Sequence, residues 1–245
     1  MIIIPMMGAS SRFFNAGYDL PKFMLPLAGR RVFDWVIESF RRYFTSETFV
    51  FVVRDEYDAT SFVSSRAEAA GISQFSVLVL ERETRGQADT VAIALESVDG
   101  ALSRNMLTVF NADTFLPSFE LPELGLGIAG SLDVFRGDGD HWSFIFPGDD
   151  MTVVRTAEKD RISDLCSNGL YVFKDASTFM SAFEDAVSKG GTASGEYYVA
   201  PVYNSVIELG GRVNYRLRAS GDSVFCGTPS EYEYLVRSGW SGFAA

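Results

Sequence analysis

Cysteine is nearly missing from this chain of 245 residues: there are 2, Cys166 and Cys226, with no CxxC and no Cys/His ligand spacing. That excludes a disulfide framework and a zinc site. Histidine is scarcer still. The single one, His141 in "DGDHWSF", has no serine or cysteine elbow nearby and reads as a surface or packing residue. Positive charge is also short, with 21 Lys and Arg against 32 Asp and Glu and a net charge of −11. A protein whose main partner is nucleic acid needs a broad basic face, so that class is excluded. One phosphorylated ligand is not, because charges are screened over ~8 Å at physiological salt and a few local cations outweigh distant carboxylates. Long apolar runs are absent too, and no segment approaches the ~20 residues of a membrane span. The start "MIIIPMMG" has no basic n-region and too short an apolar run for a signal peptide. The expectation is a soluble, cytoplasmic protein without internal repeats, low-complexity tracts or linkers.

Apolar residues make up 47% and aromatics 14% of the chain, with 21 phenylalanines, enough for a real core. Residues 2–7 read as a buried strand, and "VFDWVIESFRRYF" (32–44) puts Phe33, Val36, Ile37, Phe40 and Phe44 on one helical face. "FVFVV" (49–53) is a second buried strand, followed by a helix over 60–70 that Gly71 closes. "FSVLVL" (75–80), "ADTVAIALESV" (88–98) and "MLTVF" (106–110) continue as strand, helix, strand. "IAGSLDVF", "WSFIF", "MTVVR" and "NGLYVF" follow as strands, then helices over 176–189 and 197–209, stopped by Gly190 and Gly210. The rhythm predicts an α/β fold: a Rossmann-like, mostly parallel mixed sheet flanked by helices in three layers. One domain over 1–245 is expected, with a nucleotide-type half to about residue 120 and a substrate half beyond it.

In open parallel sheets, ligands sit beyond the carboxyl ends of the strands. The loop "GASSR" falls there, directly after the first strand. Gly8, Ala9, Ser10 and Ser11 are small enough for backbone N–H groups to approach an anion, and Arg12 and Lys22 add charge and donors. The loop is neither a Walker sequence nor GxGxxG, and its other reading is an ordinary turn with a solvated arginine. Asp113 falls at the end of a buried strand, as a metal-binding carboxylate or as a turn former in "NADT".

Several segments in order resemble the sugar-phosphate nucleotidyltransferases, the nucleoside-diphosphate-sugar pyrophosphorylases. "IIPMMGASSRF…YDLPKFMLPLAGRRVFDWVIESF" resembles that family's G-x-G-[ST]-R loop with the Pro-Lys pair after it. "RGQADTVAIAL" resembles its base-contacting glycine and following helix, and "LTVFNADTF" the strand ending in its metal-binding aspartate. "TAEKDRISDLCSNGLYVF" resembles its "EK…SxGxYxF" segment. "GEYYVAPVYNSVIELG" and "CGTPSEYEYL" resemble its "GE" helix and its "D-x-GTP-[ED]" closing element. The resemblance runs from Ile2 to about Leu235 and is nearest to short members associated with capsule and surface-polysaccharide synthesis.

The resemblance implies transfer of a nucleoside monophosphate from an NTP to a phosphorylated acceptor such as a sugar 1-phosphate, releasing pyrophosphate with Mg²⁺ as cofactor. It assigns catalysis to Arg12, Lys22, Asp113 and Lys159, with Asp113 on the metal. Nucleotide binding falls to Met7, Gly8, Ala9, Ser10, Ser11, Gly86 and Gln87, and acceptor binding to Asn168, Gly169 and Glu196. CTP or UTP is the preferred nucleotide, and no heptad or helical extension fixes an oligomeric state. The chain departs from the pattern twice. Ser10 stands in place of the second loop glycine. Phe225 stands where the family has a second metal-binding aspartate, with Asp222 the nearest carboxylate. Two other functions are weighed: a glycosyltransferase using Asp138 and Asp140, whose "DGD" resembles a hairpin turn, and a non-catalytic nucleotide-binding module.

Overall fold

The computed structural model describes residues 1–97, 105–192, 195–219 and 221–243. In chain order it runs β1 (Ile2–Pro5), α1 (Ser11–Asn15), β2 (Pro26–Leu27), β3 (Arg30–Arg31), α2 (Val32–Glu38), β4 (Phe49–Val53), α3 (Ala59–Ala70), β5 (Phe75–Val79) and α4 (Gln87–Glu96). It continues with β6 (Leu107–Phe110), β7 (Thr114–Phe115), β8 (Ile128–Arg136), β9 (Ser143–Pro147), β10 (Val153–Glu158) and β11 (Leu165–Phe173). Then come α5 (Ala176–Ser188), α6 (Val199–Glu208), β12 (Arg212–Leu217), β13 (Val224–Phe225) and α7 (Pro229–Arg237). The architecture is the expected one, a mixed sheet with parallel pairings flanked by helices. Among the described residues no helix is long and apolar enough to cross a membrane.

Two compact units interleave along the chain. The first comprises Ile4–Glu81, Asn111–Glu120 and Gly221–Ala245, and the second Met1–Ile3, Arg82–Phe110 and Leu121–Ser220.

In the first unit, β4 and β5 pair in parallel from Phe49↔Phe75 to Val53↔Val79. Every residue of β4 is buried, which is why its sequence is an unbroken apolar run. Met6 extends this layer by donating its N–H to the Val52 carbonyl at 2.8 Å. Phe33 of α2 meets Phe51 edge-on at 5.3 Å, and Phe40 meets Phe49 at 6.1 Å. α3 stops at Gly71, whose φ of 85° is the left-handed conformation that glycine takes freely. The helix expected over 32–44 ends at Glu38 instead. Beyond it the chain tightens, with Phe40 N–H on the Ile37 carbonyl, and the Ser39 hydroxyl takes the Leu116 N–H at 2.9 Å. Short-range periodicity could not register that long-range hydrogen bond.

In the second unit, β1 and β6 pair in parallel through Ile2↔Thr108 and Ile3↔Val109. β11 is the centre of this unit, antiparallel to β6, β8 and β9 and buried at all nine positions. β8 carries β12 in parallel on its other side. α4, α5 and α6 pack together, and Tyr203 of α6 lies flat on Phe173 at 4.4 Å. α4 covers most of the helix expected over 88–98, whose last position, Val98, lies outside the described residues.

Candidate active site

The first unit gathers a loop, two cations and a carboxylate. Met6 and Met7 are buried where β1 runs out, whereas Gly8 and Ala9 are exposed. A Cβ placed on Gly8 would meet nothing within 4 Å, so the space above this peptide is open. Ser10 takes φ 51° and ψ 24°, the left-handed conformation natural to the glycine it replaces. Ser11 and Arg12 begin α1, and Arg12 is exposed with no ion pair among the described residues. Lys22 opens a 3-10 turn over 22–24, and its backbone N–H donates to the Ser10 hydroxyl at 3.1 Å. Its ammonium pairs with Oδ2 of Asp113, in a pair whose side chains are each only about one-fifth exposed.

Asp113 is held by what lies around it. The residues after it form β7, which pairs with β13 through Thr114↔Phe225. The Cys226 N–H then donates to the Asp113 carbonyl at 2.8 Å. A Cβ on Gly227 would come within 2.9 Å of Asp113 Oδ2, so this glycine leaves the carboxylate its room. α7 starts from a capping box: Thr228 Oγ1 accepts from the Glu231 N–H, and Glu231 Oε2 accepts from the Thr228 and Gly227 N–H groups. Burial, helped by the charge of Asp113, pushes the Cys226 thiol far up, so it stays protonated. Asp222 is an exposed bend residue ahead of β13.

The second unit builds a different cluster. Gly86 caps α4 with φ 122° and ψ −178°, a region essentially reserved for glycine. A Cβ there would lie 2.6 Å from the Tyr197 carbonyl, which accepts the Ala88 N–H at 2.9 Å. Gln87 is the first residue of that helix. Lys159 has a left-handed backbone, φ 55°, after β10. Its ammonium donates to the Tyr198 hydroxyl at 2.6 Å and lies 4.7 Å from that ring's centre. The phenol raises the lysine above its ordinary pKa, with burial pulling the other way. Burial likewise raises Tyr198, and its hydrogen bond to Glu196 adds to the effect. Glu158 is raised mainly by burial and secondarily by the charge of Glu196, while the Ser143 hydroxyl bond and Lys159 oppose the shift.

Asn168 and Gly169 occupy the irregularity in β11 between Ser167 and Tyr171. Asn168 is buried and its Oδ1 accepts the Leu170 N–H at 3.1 Å, while Gly169 has φ 89° and gives its N–H to Ser167 Oγ at 3.1 Å. The "DGD" segment is the turn between β8 and β9, braced by Trp142 Nε1 on the Asp138 carbonyl at 3.0 Å.

Thus Ser10, Lys22 and Asp113 come together in one unit, and Lys159 and Glu196 meet through Tyr198 in the other. Sequence reading missed Tyr198 and Ser143 because no local spacing ties them to Lys159; Tyr198 lies 39 positions away. It also missed α7, although "TPSE" spells a capping box with proline in the first turn.

Mg²⁺ wants hard oxygen ligands, one or two carboxylates plus phosphates and water. Asp113 offers one such carboxylate, positioned and partly exposed, and so fits. No group of three or more potential metal ligands exists among the described residues, so the remaining ligands would come from substrate and solvent.

A mixed α/β sheet with a small-residue loop after its first strand, and a lysine from the following turn paired with a carboxylate, is the arrangement of the sugar-phosphate nucleotidyltransferase class. A solved nucleoside-diphosphate-sugar pyrophosphorylase from Vibrio cholerae RC9 is 43% identical, covers 97% of this chain and 100% of its own, and superposes with a TM-score of 0.90. The chain belongs to the nucleoside-diphosphate-sugar pyrophosphorylase family. An inositol-1-phosphate CTP transferase from T. maritima shares the fold at 16% identity and a TM-score of 0.73, over 100% of this chain and 97% of its own. A bifunctional GlmU protein of Sinorhizobium medicae is 24% identical over 250 residues, 97% of this chain; the chain spans about half, 51%, of that relative. No family model matches the chain.

Proposed function

We propose that this protein transfers a nucleoside monophosphate from an NTP to the phosphate of a sugar phosphate and releases pyrophosphate. The observation that carries the reading is the Lys22–Asp113 pair, tied through Ser10 to the loop after β1. The acceptor's phosphate has a second pKa near ~6 and is ionised at neutral pH, so no general base is needed. The enzyme's work is to hold two anions together and to offset the charge that grows on the leaving pyrophosphate.

In this reading, Arg12 binds the β- and γ-phosphates, and the Met7–Ser11 backbone lies along the triphosphate. Lys22 offsets charge at the α-phosphate. Asp113 holds Mg²⁺, which when bound neutralises phosphate charge; Asp222 is the further candidate ligand. Gly86 and Gln87 meet the base edge. Lys159 receives the acceptor's phosphate, and Glu196, Asn168 and Gly169 its hydroxyls. CTP or UTP is the proposed nucleotide, the cytoplasm the proposed compartment, and a surface-polysaccharide precursor the proposed product.

Purified protein given Mg²⁺, each NTP and a panel of sugar 1-phosphates should release pyrophosphate with one nucleotide and one acceptor. If no combination releases it, the reading fails.

A further inference from the structure

We infer that Ser10 is a positioning residue for Lys22, coupling the loop that follows β1 to the ammonium that faces Asp113; this rests on the reaction proposed above. The Lys22 N–H is the first of its 3-10 turn, where no intrahelical carbonyl is available to it. Ser10 supplies the acceptor, Oγ at 3.1 Å, across 12 positions of chain. Its side chain caps nothing in its own helix α1, although its backbone sits at that helix's N-terminal boundary. The left-handed backbone, φ 51°, is what separates the two roles. The Ser10 carbonyl still accepts the Phe13 and Phe14 N–H groups at 2.9 and 3.2 Å, while the hydroxyl turns to Lys22. A glycine here would adopt the same backbone at no steric cost but leave the Lys22 N–H unpaired. Serine carries that strain and in exchange fixes the turn from which the Lys22 side chain reaches Asp113.

The arrangement separates stability from function. Ser10→Gly removes both the strain and the acceptor, whereas Ser10→Ala keeps the strain and removes only the acceptor. In steady-state pyrophosphate release, both variants should lose kcat by about five-fold, as expected for one hydrogen bond. KM for the NTP should stay within about two-fold. Ser10→Gly should nevertheless melt at or above the wild-type temperature, and Ser10→Ala below it. Amide hydrogen exchange followed by NMR should show the Lys22 N–H protected in the wild type and exposed in both variants. Wild-type kcat in Ser10→Gly, a loss that falls on KM, or unchanged Lys22 exchange would overturn the inference. If the wild-type protein releases no pyrophosphate at all, the proposed reaction is what fails, and the exchange experiment still decides whether Ser10 holds Lys22.

Discussion

Lys22 and Lys159 are both held at a fixed place, but by opposite kinds of partner. Lys22 faces a carboxylate in a pair about one-fifth exposed, so its charge is already answered within the protein. Lys159 rests on a neutral phenol, hydrogen-bonded to the hydroxyl and standing over the ring, and the nearby charges of Glu158 and Glu196 act on it without an ion pair among the described residues. A cation over an aromatic face gains about 0.5–1 kcal/mol at an exposed site. The difference teaches how each can serve. A lysine tied to a carboxylate suits a place where a metal ion and phosphates share the same oxygens. A lysine tied to a phenol suits capture of an anion that brings no counter-ion.

The sharpest break in this comparison is removal of the shared carboxylate. Asp113→Asn should lower kcat for pyrophosphate release by about 10²–10³-fold, the size of losing one electrostatic stabiliser, with a melting temperature close to wild type. Lys159→Met should act mainly on KM for the acceptor, and a matching 10²-fold fall in kcat for both variants would erase the distinction.

The glycines divide the same way. Gly86→Ala must force a Cβ against the Tyr197 carbonyl in a backbone region reserved for glycine, and should lose at least about 1–3 kcal/mol in denaturant unfolding. Gly8→Ala meets open space and should leave unfolding unchanged while raising KM for the NTP. Equal stability for the two variants would contradict the structure.

A smaller effect sharpens the role of the phenol. Tyr198→Phe keeps the ring and removes the acceptor that raises the Lys159 pKa. Acceptor KM should rise about five-fold, the worth of one hydrogen bond. Because a raised lysine pKa keeps the charge to higher pH, the alkaline loss of acceptor binding should begin at lower pH in the variant. An unmoved alkaline limb would show that Tyr198 does not tune Lys159.

The smallest expected effect concerns Glu158. Burial raises its pKa in the folded state, so its contribution to stability is present below the ordinary carboxylate range and is lost as pH rises through the raised value. Glu158→Gln, which removes the ionisation, should therefore be slightly more stable than wild type at pH 7, by less than about 1 kcal/mol, and level with it near pH 4. Denaturant midpoints at the two pH values check this.

Much of the fold could be read from the chain in order. The run at 49–53 coincides with β4, the helix expected over 60–70 is α3 with one residue added, and Gly71 ends it as its left-handed backbone requires. β12 and β13 went unread because half-buried strands of six and two residues have little period to show. At the site, the loop at 8–12, Lys22 and Asp113 stood out, since small residues, cations and a carboxylate at strand ends are local features. Tyr198, Gly227 and Cys226 did not, because each matters only through a residue far away in sequence.

The sequence alone determined the main buried strands, the stops of helices closed by glycine such as α3, and which side chains are chemically able to meet phosphate. Those are matters of periodicity, backbone freedom and capping, all settled within a few neighbouring residues. Only the tertiary structure decided that Lys22 meets Asp113 across 91 positions and that Lys159 meets Tyr198 across 39. Such pairings follow from strand register and helix packing, and no short stretch of sequence contains both partners.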